Sequence, residues 1–118
     1  MNHYEIEEII RTLKFWRSGW DNDIREGWNC AMDGAKDIHA TLCQVAAEII
    51  LAFEDIQEKR RMNKTLLLLA HEKLTELVKS NDFQDFDLLG QQGVTNVVTN
   101  ATKHHIRVMF ELLQQVLQ

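Results

Sequence analysis

The fold class is decided by residues 22–61, NDIREGWNCAMDGAKDIHATLCQVAAEIILAFEDIQEKRR, where apolar side chains recur at alternating steps of four and three residues. The recurring positions are Ile24, Trp28, Ala31, Ala35, Ile38, Leu42, Val45, Ile49, Ala52 and Ile56. This alternation is the heptad pattern of an α-helix that packs one side against other helices. The stretch therefore predicts one long helix over 22–61, with a bend near Gly34 as the alternative to a straight helix.

The rest of the chain predicts three further helices, over 3–18, 64–80 and 94–118, from apolar residues at helical spacing. Ser18-Gly19 is the predicted end of the first helix, because glycine commonly follows a helix C-terminus. The chain has no proline and five glycines, which leaves few obligatory breaks. Together these patterns predict an all-α fold, a helical bundle of about four main helices in a single domain spanning 1–118.

The predicted long helix has a consequence for assembly. A helix of about 40 residues is about 60 Å long, whereas a compact domain of about 100 residues has a radius of gyration near ~13 Å. Unless the helix bends, a second chain must cover its projecting apolar seam, so we expect a homodimer or a higher homo-oligomer. The candidate seam residues are Ile24, Trp28, Ala31, Ala35 and Ile38.

Composition and charge narrow the environment and the partners. The formal net charge is −5, which disfavours nucleic-acid binding through the overall field. The first residues, MNHYE, lack the basic start and apolar run of a signal peptide, and the longest apolar run, Leu66 to Ala70, is too short to cross a membrane. Cys30 and Cys43 would lie about 20 Å apart in one helix, too far for a disulfide. We therefore expect a soluble cytoplasmic protein with no membrane association.

Motifs of helical enzymes and metal sites are absent or incomplete. No histidine has a glutamate three residues before it, as di-iron bundles require, and an ExxE pair near the start of the chain has no ExxD to complete a magnesium site. His71 opens an HExxH-like run, but Thr75 stands where the second histidine ligand belongs. His39 and Cys43 are too few for structural zinc. We expect no catalytic residue, no metal and no cofactor.

The segment from Asp82 to Gly93, DFQDFDLLGQQG, is the one clear interruption of the helical pattern and is predicted to be irregular or a single short turn. Its aromatic residues either pin the segment to the core or present anchors to a partner. A basic group, formed by Lys103, His104, His105 and Arg107, follows near the start of the last helix, and we expect the segment and this group to lie side by side. The candidate partner-binding residues are Phe83, Asp85, Phe86, Asp87, Lys103, His104 and Arg107.

The predicted function is protein binding without catalysis, as an adaptor, regulator or inhibitor, by analogy with the small acidic helical accessory proteins of bacteria and phages. A structural protein that builds a homo-oligomer is the alternative. A third hypothesis is a bundle that binds an anionic nucleotide at Lys103, His104 and Arg107. Trp16 and Trp20, one turn apart, are either core residues or an exposed patch, and they are the next candidates for a partner surface.

Overall fold

The computed structural model describes residues 1–25, 33–93 and 100–118, without the side chains of 33–35. Within these ranges the chain is all-α and contains no strand. The helices are α1 (His3–Arg25), α2 (Asp33–Gln57), α3 (Lys64–Lys79), α4 (Asn81–Gln91) and α5 (Asn100–Leu117). The predicted all-α bundle is confirmed. No helix in the described ranges is long and apolar enough to span a membrane.

Helix α1 continues past the predicted stop at Ser18-Gly19 and ends at Arg25. It begins at a cap in which the side-chain oxygen of Asn2 accepts a hydrogen bond from the Glu5 backbone N–H at 2.9 Å. Leu13 and Trp20, two turns apart, are both buried. Burying a tryptophan stabilises the fold by more than the roughly 1 kcal/mol that a helical glycine costs. The helix therefore runs through Gly19, and the predicted end was wrong.

The predicted single helix over 22–61 was also wrong. Residues 22–25 belong to α1, α2 starts at Asp33, and the two helices pack side by side in opposite directions. Lys14 pairs with Glu54 at 3.5 Å, and the Cys43 thiol lies 3.7 Å from the Arg17 carbonyl oxygen. A 25-residue helix is about 38 Å long, so folding back lets both apolar faces be buried within one chain. Helices α1 and α2 are therefore two antiparallel helices and not one.

The reversal removes the reason for covering a projecting seam with a second chain. Ile38 is 2% exposed and lies in the chain's own core, as do the later seam positions Leu42, Val45, Ile49 and Ala52. Ile24, at the end of α1, is half-buried. The remaining candidates, Trp28, Ala31 and the side chain of Ala35, lie outside the described residues. A homo-oligomer stays a prediction, but the overhanging helix no longer supports it.

Helices α3 and α4 meet at Ser80, which caps both. Asn63 starts α3 by accepting a hydrogen bond from the Leu66 N–H at 3.1 Å. The Ser80 backbone N–H bonds to the Leu77 carbonyl, and its hydroxyl oxygen accepts from the Phe83 N–H. This second bond begins α4, so the segment predicted to be irregular is an eleven-residue helix. An N-cap serine and the acidic Asp82 in the first turn stabilise this helix, which the sequence pattern did not predict.

The core lies between α1, α2, α3 and α5, and the molecule measures 44 × 26 × 19 Å. Leu42, Ile49 and Phe53 on α2 are at most 1% exposed. The half-buried ion pair of Glu48 and Lys73 joins α2 to α3. Helix α3 also packs against α5 in the antiparallel direction, with His71 beside Phe110 and Leu68 near Leu117. Helix α5 contacts α1 through large side chains, and this contact contains the candidate site.

Candidate functional site

The structure brings the acidic segment and the basic group together, as the sequence led us to expect. A carboxylate oxygen of Asp87 on α4 lies 3.0 Å from the Lys103 ammonium on α5. Asp85 on α4, and His104 and Arg107 on α5, are exposed side chains of the same two helices. We call the surface formed by these five residues the α4–α5 surface.

The two phenylalanines of α4 face inward. Phe83 is 7% exposed and belongs to the core, while Phe86 is half-buried and packs against it. Of the two roles left open by the sequence, this placement matches pinning of the segment to the core. A partner that contacts the α4–α5 surface would meet charged side chains and would not find Phe83 as a protruding anchor.

The Asp87–Lys103 ion pair also bears on the nucleotide hypothesis. The two side chains are only 26% and 32% exposed, so the pair is partly shielded from solvent. The Asp87 carboxylate already neutralises the Lys103 ammonium and would repel a phosphate that approached it. His104 and Arg107, the other two candidate residues, are exposed on α5. The geometry gives nucleotide binding no support.

A cluster of three rings joins α1 to α5. The His105 imidazole stacks on Trp16, with ring centroids 4.0 Å apart and planes inclined by 22°. It also meets Trp20 edge to face, with the centroids 5.8 Å apart. Trp20 is buried at 5% exposure and Trp16 is half-buried. The tryptophans are thus both core and surface, since Trp20 serves the core and Trp16 reaches the outside.

The electrostatics around His105 favour a neutral imidazole. Burial lowers the pKa of His105, and the neighbouring His104 on the same helix lowers it further. The Nδ1 atom of His105 is buried and has no hydrogen-bond partner among the described residues. A ring nitrogen without an acceptor nearby cannot hold a proton favourably, so the contact with Trp16 and Trp20 is one between uncharged rings near neutral pH.

A cleft of about 470 Å³ opens beside these rings, between α1 and α5. Phe15, 78% exposed, stands in its wall together with Trp16. Gly19 lies one turn after these residues and also lines the cleft, and a Cβ atom added there would meet nothing within 4 Å. We call this feature the α1–α5 cleft. It combines exposed aromatic surface with unobstructed space above a stretch of helix backbone.

Charged side chains stand at the end of the cleft nearest the C-terminus of α1. Arg25 lines it and pairs with Asp21 at 3.1 Å. Asp23 lines it as well, close enough to the buried His39 to act on its pKa. Burial lowers the pKa of His39, and the Asp23 carboxylate partly offsets this effect. The cleft is therefore apolar along α1 and carries both signs of charge at one end.

The sequence indicated only part of this site. The one-turn spacing of Trp16 and Trp20 marked them as an alternative partner surface. Gly19 was interpreted as a helix end, and His105 was considered only for its charge. Helical spacing does place Trp16, Gly19 and Asp23 on one side of α1, but that signal appears only once α1 is known to continue past Gly19.

The chemistry of a catalytic or metal site is not brought together in the described ranges. These residues contain no group of three or more His, Cys, Asp and Glu side chains able to hold a metal ion. Burial and the nearby Asp21 raise the pKa of the Cys43 thiol, although Arg17 acts in the opposite direction. A thiol with a raised pKa is a poor nucleophile at neutral pH.

The chain matches no protein-family model, no curated protein and no solved structure.

Proposed function

We propose that this chain is a non-enzymatic helical protein that acts by binding another protein in the α1–α5 cleft. The observation that carries the proposal is Gly19, a glycine inside a helix with no described atom in front of it, one turn after exposed Phe15 and half-buried Trp16. The adaptor, regulator and inhibitor roles expected from the sequence all use such a surface.

Gly19 lowers the stability of helix α1, and the described residues give no reason for a glycine at this position. A glycine inside a helix is less favourable than alanine by roughly 0.5–1 kcal/mol. The usual compensation is close approach of another part of the protein, yet no described atom lies within 4 Å of the missing Cβ. Gly19 also needs no unusual backbone angle, since it lies within α1. Close approach of a second molecule supplies a reason for glycine that contacts within the described part of the chain do not.

The aromatic side chains of the α1–α5 cleft can contribute binding energy. Tryptophan is among the residues that dominate protein interfaces, particularly where it sits in a pocket surrounded by polar groups. Trp16 is held in place by His105, so little side-chain freedom would be lost on binding. Phe15 adds exposed apolar area, and Asp23 and Arg25 can orient a partner.

A second apolar depression lies between α3 and α5, where Leu68, Phe110 and Leu117 line about 430 Å³. It contains no tryptophan and no arginine or lysine in its lining. The α1–α5 cleft has the composition expected of an interface centre, and the α3–α5 depression has only part of it. We therefore assign the partner to the α1–α5 cleft.

Capture of a partner from native extract by immobilised protein tests the proposal with a matched pair of variants. Phe15→Ala removes a side chain of the cleft, and Tyr4→Ala removes an aromatic of similar exposure three turns earlier on the same helix. We expect Phe15→Ala to weaken capture at least about tenfold, which corresponds to about 1.4 kcal/mol, and Tyr4→Ala to leave it unchanged. Equal capture by both variants would remove the cleft from consideration.

The α4–α5 surface is the second candidate, because the Asp87–Lys103 contact joins two helices that also carry the exposed side chains of Asp85 and Arg107. Charge complementarity of this kind fixes the orientation of a partner more than it supplies affinity. A partner bound there would be insensitive to Phe15→Ala but sensitive to charge reversal at Asp85 or Arg107. The two candidate surfaces are therefore separable by mutation.

A homo-oligomeric structural protein is the alternative function. Light scattering at high micromolar concentration tests it, because a species of only 13.8 kDa is a monomer. We place the protein in the cytoplasm, as the sequence predicted, where a reducing environment keeps the Cys43 thiol free.

A further inference from the structure

We propose that the α1–α5 cleft responds to pH through His105: the neutral imidazole holds α5 against α1, and proton uptake separates them and releases a bound partner. The separation is a property of the free protein. Only the release of a partner depends on the proposed function.

His105 is the side chain through which α5 reaches the tryptophans of α1. It contacts Trp16 by stacking and Trp20 by its edge, while the two tryptophan rings are 6.4 Å apart and also meet each other. The same imidazole lines the cleft. A change that weakens these ring contacts therefore alters the wall of the cleft directly.

A proton is poorly accommodated where His105 now lies. No described residue provides an acceptor for its buried Nδ1, so a protonated ring would hold an N–H that these residues leave unsatisfied. The His104 ring, 6.1 Å away, would carry a like charge when both are protonated. The face of Trp16 attracts a cation, but it does not provide the hydrogen-bond acceptor that Nδ1–H requires. The packed arrangement therefore favours the neutral ring.

The other charged groups of the cleft do not reverse this preference. Asp23 and Arg25 are the charged residues that α1 contributes to the lining, and they carry opposite charges. Arg25 is paired with Asp21, and Asp23 acts on His39. The pKa of His105 is lowered mainly by burial and further by the neighbouring His104.

The direction of the response follows from these contacts. A histidine that has left the cluster regains a pKa near the ordinary 6.5, whereas the packed His105 has a lower one. Between these two values the separated state binds more protons than the packed state, so falling pH moves the population toward separation. Each unit by which the pKa is lowered allows a change of up to about tenfold in that equilibrium.

The test follows two signals in the free protein from about pH 8 to about pH 5. The ring-proton NMR signal of His105, identified by its loss in His105→Phe, reports its proton uptake, and near-ultraviolet circular dichroism reports the packing of the tryptophans. We expect both signals to change with one midpoint below 6.5. In His105→Phe, which keeps a stacking ring but cannot titrate, the circular dichroism should be independent of pH. His39→Gln should retain the dependence, because His39 does not line the cleft.

The proposal is overturned by a His105 midpoint at or above 6.5, or by tryptophan packing that stays constant while His105 titrates. If His105→Phe fails to fold, the signals of the wild-type protein, whose histidines are then assigned by sequential NMR, still decide the question. Partner capture measured at the two pH limits completes the test. A pH-dependent cluster with capture insensitive to Phe15→Ala would refute the proposed binding site and leave the response of His105 standing.

Discussion

Gly19→Ala should stabilise the protein while weakening its binding, and this combination distinguishes the structure from the interpretation of the sequence. Gly19 is within α1, where alanine is more favourable than glycine by roughly 0.5–1 kcal/mol. The added Cβ meets nothing within 4 Å, so no clash offsets the gain. A 118-residue domain unfolds with an entropy of about 0.25 kcal/mol per degree, so the melting temperature should rise by about 2–4 °C.

Gly93→Ala is the matched control for this prediction. Gly93 follows α4 with φ of +84°, a left-handed conformation that alanine adopts only at a cost of about 1–2 kcal/mol. The same chemical change should therefore lower the melting temperature at Gly93 by about 4–8 °C, although a Cβ there also meets nothing. Calorimetry of the two variants beside the wild type measures both shifts.

The decisive result is the sign at Gly19. A lower melting temperature for Gly19→Ala would mean that the glycine ends a helix, as the sequence first indicated, and the argument for the α1–α5 cleft would fail. A rise in melting temperature with unchanged partner capture would keep the helix but remove the reason for placing a partner against Gly19. The Gly19→Leu variant, whose side chain extends further into the cleft, should then still capture the partner, because the partner would not occupy the cleft.

Three further predictions concern the core, the second candidate surface and the effect of pH. Ile49→Ala, at a fully buried position, should cost about 2–5 kcal/mol in free energy of unfolding, whereas Leu51→Ala, at 54% exposure on the same helix, should cost less than about 0.5 kcal/mol; similar melting temperatures would mean that the buried face of α2 is misassigned. Asp85→Lys and Arg107→Glu, both at exposed sites, should leave melting and partner capture unchanged, and loss of capture in either variant would move the binding site to the α4–α5 surface. Burial lowers the pKa of His39, so the unfolded chain binds more protons than the folded chain below about pH 6.5, and the free energy of unfolding should fall as pH drops through this range. Denaturant titrations of His39→Gln should show a free energy of unfolding that depends less steeply on pH. The same pH dependence in His39→Gln and the wild type would exclude His39 as a contributor.

Much of the core could be assigned from the sequence because helical spacing shows which side of a helix is apolar. Leu42, Val45, Ile49 and Ala52 were predicted to share one face of a helix and are all completely buried. Helix α3 was predicted over 64–80 and spans Lys64–Lys79. Its capping residue Asn63 and the shared cap at Ser80 are local signals, since they depend on hydrogen bonds between near neighbours in the chain.

The position of the chain reversal was not available from the same spacing. The three-and-four alternation continues from Ile24 to Ile38 although these residues belong to different helices, α1 and α2. Apolar periodicity indicates which side chains face a core, and both helices of a helical hairpin face the same core. The heptad pattern can therefore continue from one helix into the next without an interruption. Helix α4 was missed for a related reason, because its short apolar face gives too few repeats to recognise.

The sequence by itself determined the helical class, the apolar face of α2 and the limits of α3, all of which follow from interactions between residues a few positions apart. The tertiary structure alone decided that Trp16 and Trp20 meet His105, some 85 residues further along the chain. It also decided that Gly19 faces open space rather than ending a helix. The physical reason is that a side chain's spacing fixes its direction on its own helix, whereas its partner depends on how the helices pack around the shared core.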